Sequence, residues 1–410
     1  MRKLILPCIL FCAMASASAQ EKKVLFIIID GVSKDVIEKV ATPNLDAIAQ
    51  EGAFLSAYQG GERNGYTQTP TISAPGYNNV LTGVWFNKHN VPDNAIKAPN
   101  YHYPTIFRLF EDQFPEKKTA IFSSWQDNRT KLIGEGLPQT GHIRLDYHFD
   151  GLELDTVKYP HDKSRKFMAA IDQAVTDATV RAIGESAPDL SWVYLEFPDD
   201  MGHMHGDSEP YTAAVQHADR QIGQIWSAIK QRREKYKEDW LLVVTTDHGR
   251  DAKGGRGHGG QSERERAAWI VTNAELNDYA RQAGQVSVVD ILPTISRFLG
   301  MKLSTDRQRE LDGIPLTGQV SLSGLTAVRS GNTIQLNWMP RAGNEKVKIW
   351  LATTNTYKLT GKPDAYRLVA EVPVKQARFD IDLVADAAAD IYKVVVEGRH
   401  NMVSRWVLKD

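Results

Sequence analysis

Six residues in four short segments have the types and spacing to bind divalent cations. They are Asp30 in Ile29-Asp30-Gly31, Asp199 and His203 in Pro198-Asp199-Asp200-Met201-Gly202-His203, Asp247 and His248 in Thr246-Asp247-His248-Gly249, and His258 in Gly257-His258-Gly259-Gly260. Each segment has a bland reading by itself. A lone Asp closing a strand is more often a loop cap than a ligand, and a lone His among glycines is more often surface loop. The spacings argue otherwise when taken together. Asp199 and His203, four apart, suit two ligands on one turn, and an adjacent Asp-His pair can aim both side chains at one ion. Glycines beside His258 let the backbone approach closely. Three carboxylates and three imidazoles form the N/O donor set that Zn²⁺ favours. They divide into two sets of three, which leaves open positions for a substrate and a nucleophile.

A fifth segment, Thr69 to Gly83, supplies that nucleophile. Pro75 is placed to open a short helix that stops at Gly83, which puts Ser73 at the helix N-terminus. Free N–H groups and the helix dipole there favour an anion. A serine hydroxyl is a weak nucleophile at neutral pH, but a bound cation activates it without a histidine base. The competing role for Ser73 is an N-cap. Thr71, two residues earlier, is the local rival.

These residues need a scaffold that brings them together. Val24–Ile29, Thr119–Phe122, Trp192–Leu195 and Trp240–Thr245 are apolar, β-branched or aromatic runs, the pattern of strands buried on both faces of a parallel sheet. Helical patterns at Asn44–Glu51, Lys166–Gly184 and Tyr211–Arg232 separate them. The alternation predicts an α/β sheet with helices on both faces. Ligands in such sheets sit beyond the carboxyl ends of the strands, so the six candidates are expected on loops there.

The texture changes near residue 318. Thr333–Trp338, Lys346–Leu351 and Ile391–Glu397 are short alternating runs punctuated by Gly, Pro and Asn, as in a small antiparallel β-sandwich. This region resembles a fibronectin type III domain. The predicted division is residues 1–19 as a signal peptide, 20–318 as a catalytic domain and 319–410 as the sandwich.

The leader reading rests on Arg2 and Lys3, the apolar run Leu4–Ala15 and the small residues Ala17-Ser18-Ala19, and it places the mature N-terminus at Gln20. The apolar run is too short to span a bilayer. Both cysteines, Cys8 and Cys12, fall inside the leader, so the mature chain forms no disulfide. Export to a periplasmic or extracellular space follows. A net charge of −1 and the absence of a long basic run argue against nucleic-acid duplex binding.

The ordered set Asp30, Ser73, Asn94, Asp199, His203, Asp247, His248 and His258 resembles the alkaline phosphatase superfamily, nearest its type I phosphodiesterase/nucleotide pyrophosphatase branch. The likeness covers residues 22 to 317, and Thr42–Asp46 and Asp290–Thr294 look like structural segments of that branch. It implies an alkaline-phosphatase-like sheet sandwiched by helices and two Zn²⁺. Asp30, Asp247, His248 and Ser73 would hold one ion, and Asp199, His203 and His258 the other. Asn94 would donate to a phosphoryl oxygen. The implied substrate is a phosphate-ester small molecule or nucleotide. The implied reaction is phosphodiester hydrolysis through a phosphoserine, with phosphomonoester hydrolysis as the alternative and Arg129 or Lys131 as the extra cation it needs. A sulfatase fits less well, because Tyr77 replaces the Arg expected four residues after the nucleophile and Asp30 is followed by Gly31. A non-catalytic surface-binding protein fits least. Pro75-Gly76-Tyr77 departs from the branch's Pro-Asn-His, at positions near the leaving-group side in some relatives.

Overall fold

The structure is a computed structural model that describes residues 20–341, 343–383 and 389–409. Residues 1–19, read above as a leader, and with them Cys8 and Cys12, lie outside the described residues.

Among the described residues, eight strands form the first sheet: β1 (Lys22–Ile29), β2 (Ala53–Tyr58), β3 (Thr119–Ser123), β4 (Tyr147–Phe149), β5 (Leu190–Leu195), β6 (Asp239–Thr245), β7 (Ala267–Thr272) and β8 (Val286–Ser287). Their order across the sheet is β4-β3-β5-β1-β6-β7-β2-β8. The four strands read from sequence, β1, β3, β5 and β6, are adjacent and mutually parallel. The sheet as a whole is mixed, because β7 runs antiparallel to both β6 and β2.

Period-2 alternation divides β1 between two cores. Val24, Phe26 and Ile28 join Val80, Leu81, Phe107 and Leu292 on one face, while Leu25, Ile27 and Ile29 join Ile48, Ile171, Val175 and Ile222 on the other. The helices Ser73–Thr82, Ile106–Glu111 and Ile291–Phe298 cover the first face. Pro43–Glu51, Lys166–Glu185 and Glu209–Tyr236 cover the second. Burial of each such aliphatic side chain contributes about 1.5–3 kcal/mol, which fixes the register of the sheet.

That register sets the site. Ile29 pairs with Leu195, and Ile28 with Thr245, so β1, β5 and β6 end at one level. Asp30, the segment entering Asp199, and Asp247-His248 all leave the sheet there. One expectation needs correction. Asp199 and His203 lie inside the helix Phe197–His205 that follows β5, and not on a loop. The i, i+4 spacing that suited one turn is therefore a helical turn.

The remaining strands, β9 (Leu322–Ser330), β10 (Thr333–Pro340), β11 (Lys346–Ala352), β12 (Arg367–Pro373), β13 (Arg378–Asp382), β14 (Ile391–Glu397) and β15 (Met402–Leu408), form two antiparallel sheets. Their orders are β13-β10-β9 and β12-β11-β14-β15. Ile334, Leu336, Trp338, Ile349, Val394 and Val396 fill the core of this small β-sandwich. A buried polar cluster joins it to the rest of the chain: Lys393 Nζ donates to Glu310 (2.9 Å) and Asp364 (2.6 Å), and Tyr103 also donates to Glu310. Among the described residues, no helix is long and apolar enough to cross a membrane.

Candidate metal and phosphoryl-transfer site

The six candidate ligands and Ser73 converge beyond the strand ends. Ligand atoms of Asp199, His203 and His258 lie within 4.8 Å of one another, as do those of Asp30, Asp199 and His248. Asp199 thus stands in both sets and joins the two halves. Asp247 Oδ2 is 3.1 Å from His248 Nε2, and Ser73 Oγ is 3.4 Å from the same nitrogen.

Hydrogen bonding assigns the imidazoles. In all three, Nδ1 faces a backbone carbonyl: Arg256 O at 2.9 Å for His203, Gly249 O at 2.9 Å for His248, and Thr71 O at 3.0 Å for His258. A carbonyl only accepts, so Nδ1 carries the hydrogen and Nε2 turns its lone pair inward. The Nε2 atoms of His203 and His258 then confront each other at 3.1 Å. Around His248, the buried Asp30 Oδ1 and Asp247 Oδ2 have no hydrogen-bond partner. Acceptors facing acceptors call for a cation, most strongly in the buried Asp30, Asp247 and His248 half of the site. The donor set is hard to borderline N and O, which fits Zn²⁺.

The charge distribution draws positive charge into the cluster, a proton on His248 Nε2 or a metal ion in its place. Burial raises the Asp247 carboxyl well above its ordinary range, and the neighbouring Asp30 adds to the rise. Burial works against the His248 imidazolium, yet Asp247 and Asp30 hold it up to about 9. Burial and the His248 charge push His258 down to about 4. Burial opposes ionisation of Asp199 as well, but His203, His248 and Arg250 hold its carboxyl far below the usual carboxylate range.

Ser73 is the first residue of its helix, and Ile72 occupies the cap position with extended backbone. The helix starts two residues before Pro75, which sits in the first turn, where its missing N–H costs no intrahelical bond. Asn94 is exposed, and its Oδ1 accepts from Ala74 N–H at 2.9 Å, which holds its amide beside Ser73. Thr71 is occupied otherwise. Its hydroxyl donates to Gly260 O (2.8 Å) and accepts from Gly259 N–H (3.0 Å), fastening the strap that carries His258. His205, on the last residue of the Phe197–His205 helix, is exposed and belongs to neither ligand set.

Several functional neighbours escape sequence reasoning. Tyr77 and Tyr194 both donate to Asp30 Oδ2, the latter at 2.6 Å. They leave Oδ1 alone to face the cluster. Tyr77 is fully buried, and Gly76 backs onto Asp247, where a Cβ would meet the backbone oxygen at 2.7 Å. These two positions therefore support the ligands from beneath. Arg250 is fully buried and donates to Asp199 Oδ1, Gly255 O and Arg256 O. Room for it comes from Gly31 and Gly202, whose added Cβ atoms would lie 2.7 Å and 2.4 Å from the guanidinium. The one signal in the sequence is a cation directly after Asp247-His248-Gly249. The cations considered for a monoesterase are engaged: Arg129 pairs with Asp150 and Glu135, and Lys131 with Asp127.

A helix-sandwiched α/β sheet with a two-part carboxylate–imidazole cluster beyond its central strands defines an alkaline-phosphatase-like protein. Residues 24–255 match the profile of the type I phosphodiesterase / nucleotide pyrophosphatase family, more than half of the chain, and the chain belongs to that family. It is 26% identical over 241 residues to ectonucleotide pyrophosphatase/phosphodiesterase family member 7 of Rattus norvegicus, covering 56% of this chain and 50% of that one. It is 24% identical over 238 residues to family member 5 of Homo sapiens, covering 57% and 46%. The chain spans about half the length of these curated relatives. Among solved structures, a 2-O GAG sulfatase superposes with a TM-score of 0.51 at 11% identity, covering 90% of this chain and 86% of that one, a likeness of fold alone.

Proposed function

We propose that the chain is an exported two-zinc phosphohydrolase that cleaves phosphodiesters or nucleotide pyrophosphates through a phosphoserine at Ser73. The observation that carries this reading is the convergence of three Nε2 lone pairs and three carboxylates beside the Ser73 hydroxyl. Family membership and the naming of its relatives as nucleotide pyrophosphatases/phosphodiesterases support it. Asp30, Asp247, His248 and Ser73 would hold one Zn²⁺, and Asp199, His203 and His258 the other. The ions would supply Lewis acidity toward the phosphoryl oxygens and lower the pKa of the attacking hydroxyl. Ser73 Oγ gives up its proton to solvent and attacks phosphorus, and the bond to the ester oxygen breaks with its electron pair leaving on that oxygen, which takes up a proton from water. Water then splits the phosphoserine and restores the hydroxyl. The Asn94 amide, oriented by Ala74 N–H, donates to a non-bridging oxygen. The catalytic unit ends near residue 318, and the 1–19 leader directs export. Pairing of Arg129 and Lys131 with carboxylates favours a diester over a monoester, because neither is left to meet a third phosphoryl oxygen.

The zinc-loaded chain is expected to hydrolyse an aryl phosphodiester faster than an aryl phosphomonoester or sulfate. Chelation abolishes turnover and Zn²⁺ restores it. Ser73→Ala lowers turnover about a thousand-fold or more, by analogy with nucleophile deletions in other hydrolases. Mass spectrometry of acid-quenched enzyme should find phosphate on Ser73. Near-wild-type turnover by Ser73→Ala, or phosphate on Thr71, would sink the assignment.

A further inference from the structure

A cleft lies where the loop between β2 and the Ser73–Thr82 helix meets β9 and β15 of the sandwich. Its volume is about 530 Å³, within the range of small-molecule sites, which favour domain junctions. None of the six candidate ligands lines it, nor does Ser73.

Two stacked aromatic pairs form its apolar walls. Tyr66 stacks on Trp406 (centroids 5.6 Å, 29°) and Tyr58 on Trp85 (5.8 Å, 25°). Asn87 lines the cleft at only 7% exposure, and neither its Oδ1 nor its Nδ2 has a hydrogen-bond partner; the Trp406 indole N–H is equally unpaired. Buried amides are rarely left so, because each unsatisfied group carries its full desolvation cost. The cleft is also crowded with cations. Arg266 donates to the carbonyls of Gly60 and Gly61 and to Gln261, and Arg405 to the carbonyl of Ser404. Burial and the nearby Arg63 guanidinium push Arg266 below its ordinary value. Two carboxylates, Glu62 and Asp312, line the cleft against four cations, Arg63, Lys88, Arg266 and Arg405, and Asp312 is taken up by Lys88 and Trp85 N–H.

We propose that this cleft binds an anionic sugar, a sugar phosphate, sulfate or uronate. The anionic group meets Arg266 and Arg405, and sugar hydroxyls, each both donor and acceptor, satisfy Asn87 and the Trp406 indole. The stacked aromatic pairs border the ring, although the Trp406 ring itself already carries Tyr66 and the Lys393 ammonium.

The test is calorimetric titration of the full-length, zinc-loaded Ser73→Ala chain, in which turnover is suppressed, with glucose 6-phosphate, glucuronate, glucose and orthophosphate. An anionic sugar is expected to bind with a dissociation constant of about 1 mM or tighter, at least about tenfold tighter than glucose. Arg405→Gln and Asn87→Leu, each added to that chain, should weaken it by about tenfold or more. Arg405 is part-exposed, so its substitution tests the site even where Asn87→Leu impairs folding. Whichever of phosphate and carboxylate binds more tightly identifies the anion. Binding that survives both substitutions belongs to the metal cluster and overturns the proposal, as does no saturable binding of either anionic sugar.

Discussion

Replacing Arg250 probes how the two halves of the metal cluster are held. Arg250→Met keeps the aliphatic stem in its buried slot and removes the guanidinium. Asp199 Oδ1 then loses its charged donor and the Gly255 carbonyl loses its own, whereas the Arg256 carbonyl keeps the His203 Nδ1–H. Breaking one partner of a buried ion pair costs about 3–5 kcal/mol, and the one stranded carbonyl, that of Gly255, about 1–3 kcal/mol. The 251–257 loop can relax toward water, so the net loss of stability is expected near the ion-pair figure. The effect on metal is separable. Asp199 belongs to both ligand sets, and outer partners of a metal ligand typically account for about 10–100-fold in affinity. Arg250→Met should therefore weaken zinc binding by about 10–100-fold, or about 1.4–2.8 kcal/mol. Arg250→Lys keeps the charge but cannot fork onto a carboxylate and two carbonyls, so it recovers only part of the loss. Chelator competition read by bound zinc measures affinity, and chemical denaturation measures stability. Wild-type or tighter zinc affinity in Arg250→Met would refute the reasoning, because a guanidinium that only repels the ions would give that result.

Gly76→Ala places a Cβ 2.7 Å from Asp247 O and forces the Ser73 helix away from β6. It should destabilise the fold by about 1–3 kcal/mol and lower diesterase turnover; unchanged turnover and melting would show that the helix has slack. Burial pushes Asp290 up to about 7, although Ser287 N–H, Ile314 N–H and Tyr279 OH all donate to it. Its folded pKa exceeds the unfolded value of about 3.9, so its contribution is greatest below that value and declines as pH rises toward 7. Asp290→Asn removes this slope, and the stability gap between wild type and variant, from urea unfolding, should be wider at pH 5 than at pH 7.5; a constant gap would contradict it. A chain ending at residue 318 strips Lys393 from the buried Glu310 carboxylate. It should fold as an α/β unit but about 3–5 kcal/mol less stably, and Glu310→Gln in that shortened chain should restore part of the loss by removing the unpaired charge. Loss of α-helical circular dichroism in both shortened chains would deny the boundary.

The sequence by itself determined the parts whose signal is local. Val24–Ile29, Trp192–Leu195 and Trp240–Thr245 announce buried parallel strands by their unbroken apolar runs. Each is followed within a few residues by Asp or His, so a list of ligand types at strand ends was already legible. Strands β2 and β7 were not, because Ala53–Tyr58 is short and part-exposed and Ala267–Thr272 directly follows the charged Glu263–Arg266 turn. Pairing between β2 and β7, more than two hundred residues apart in sequence, makes those strands. The site divides the same way. Asp30, Ser73, Asp199, His203, Asp247, His248 and His258 stand out by residue type and spacing. Tyr77, Tyr194 and Arg250 look in sequence like core aromatics and a surface cation. Only the fold sets two phenols on one oxygen of Asp30 and buries a guanidinium against Asp199. Orientation is a tertiary property too. Three backbone carbonyls, from Thr71, Gly249 and Arg256, fix which nitrogen of each imidazole faces the cluster. A backbone carbonyl carries no side-chain signature, so no inspection of residue types alone finds it.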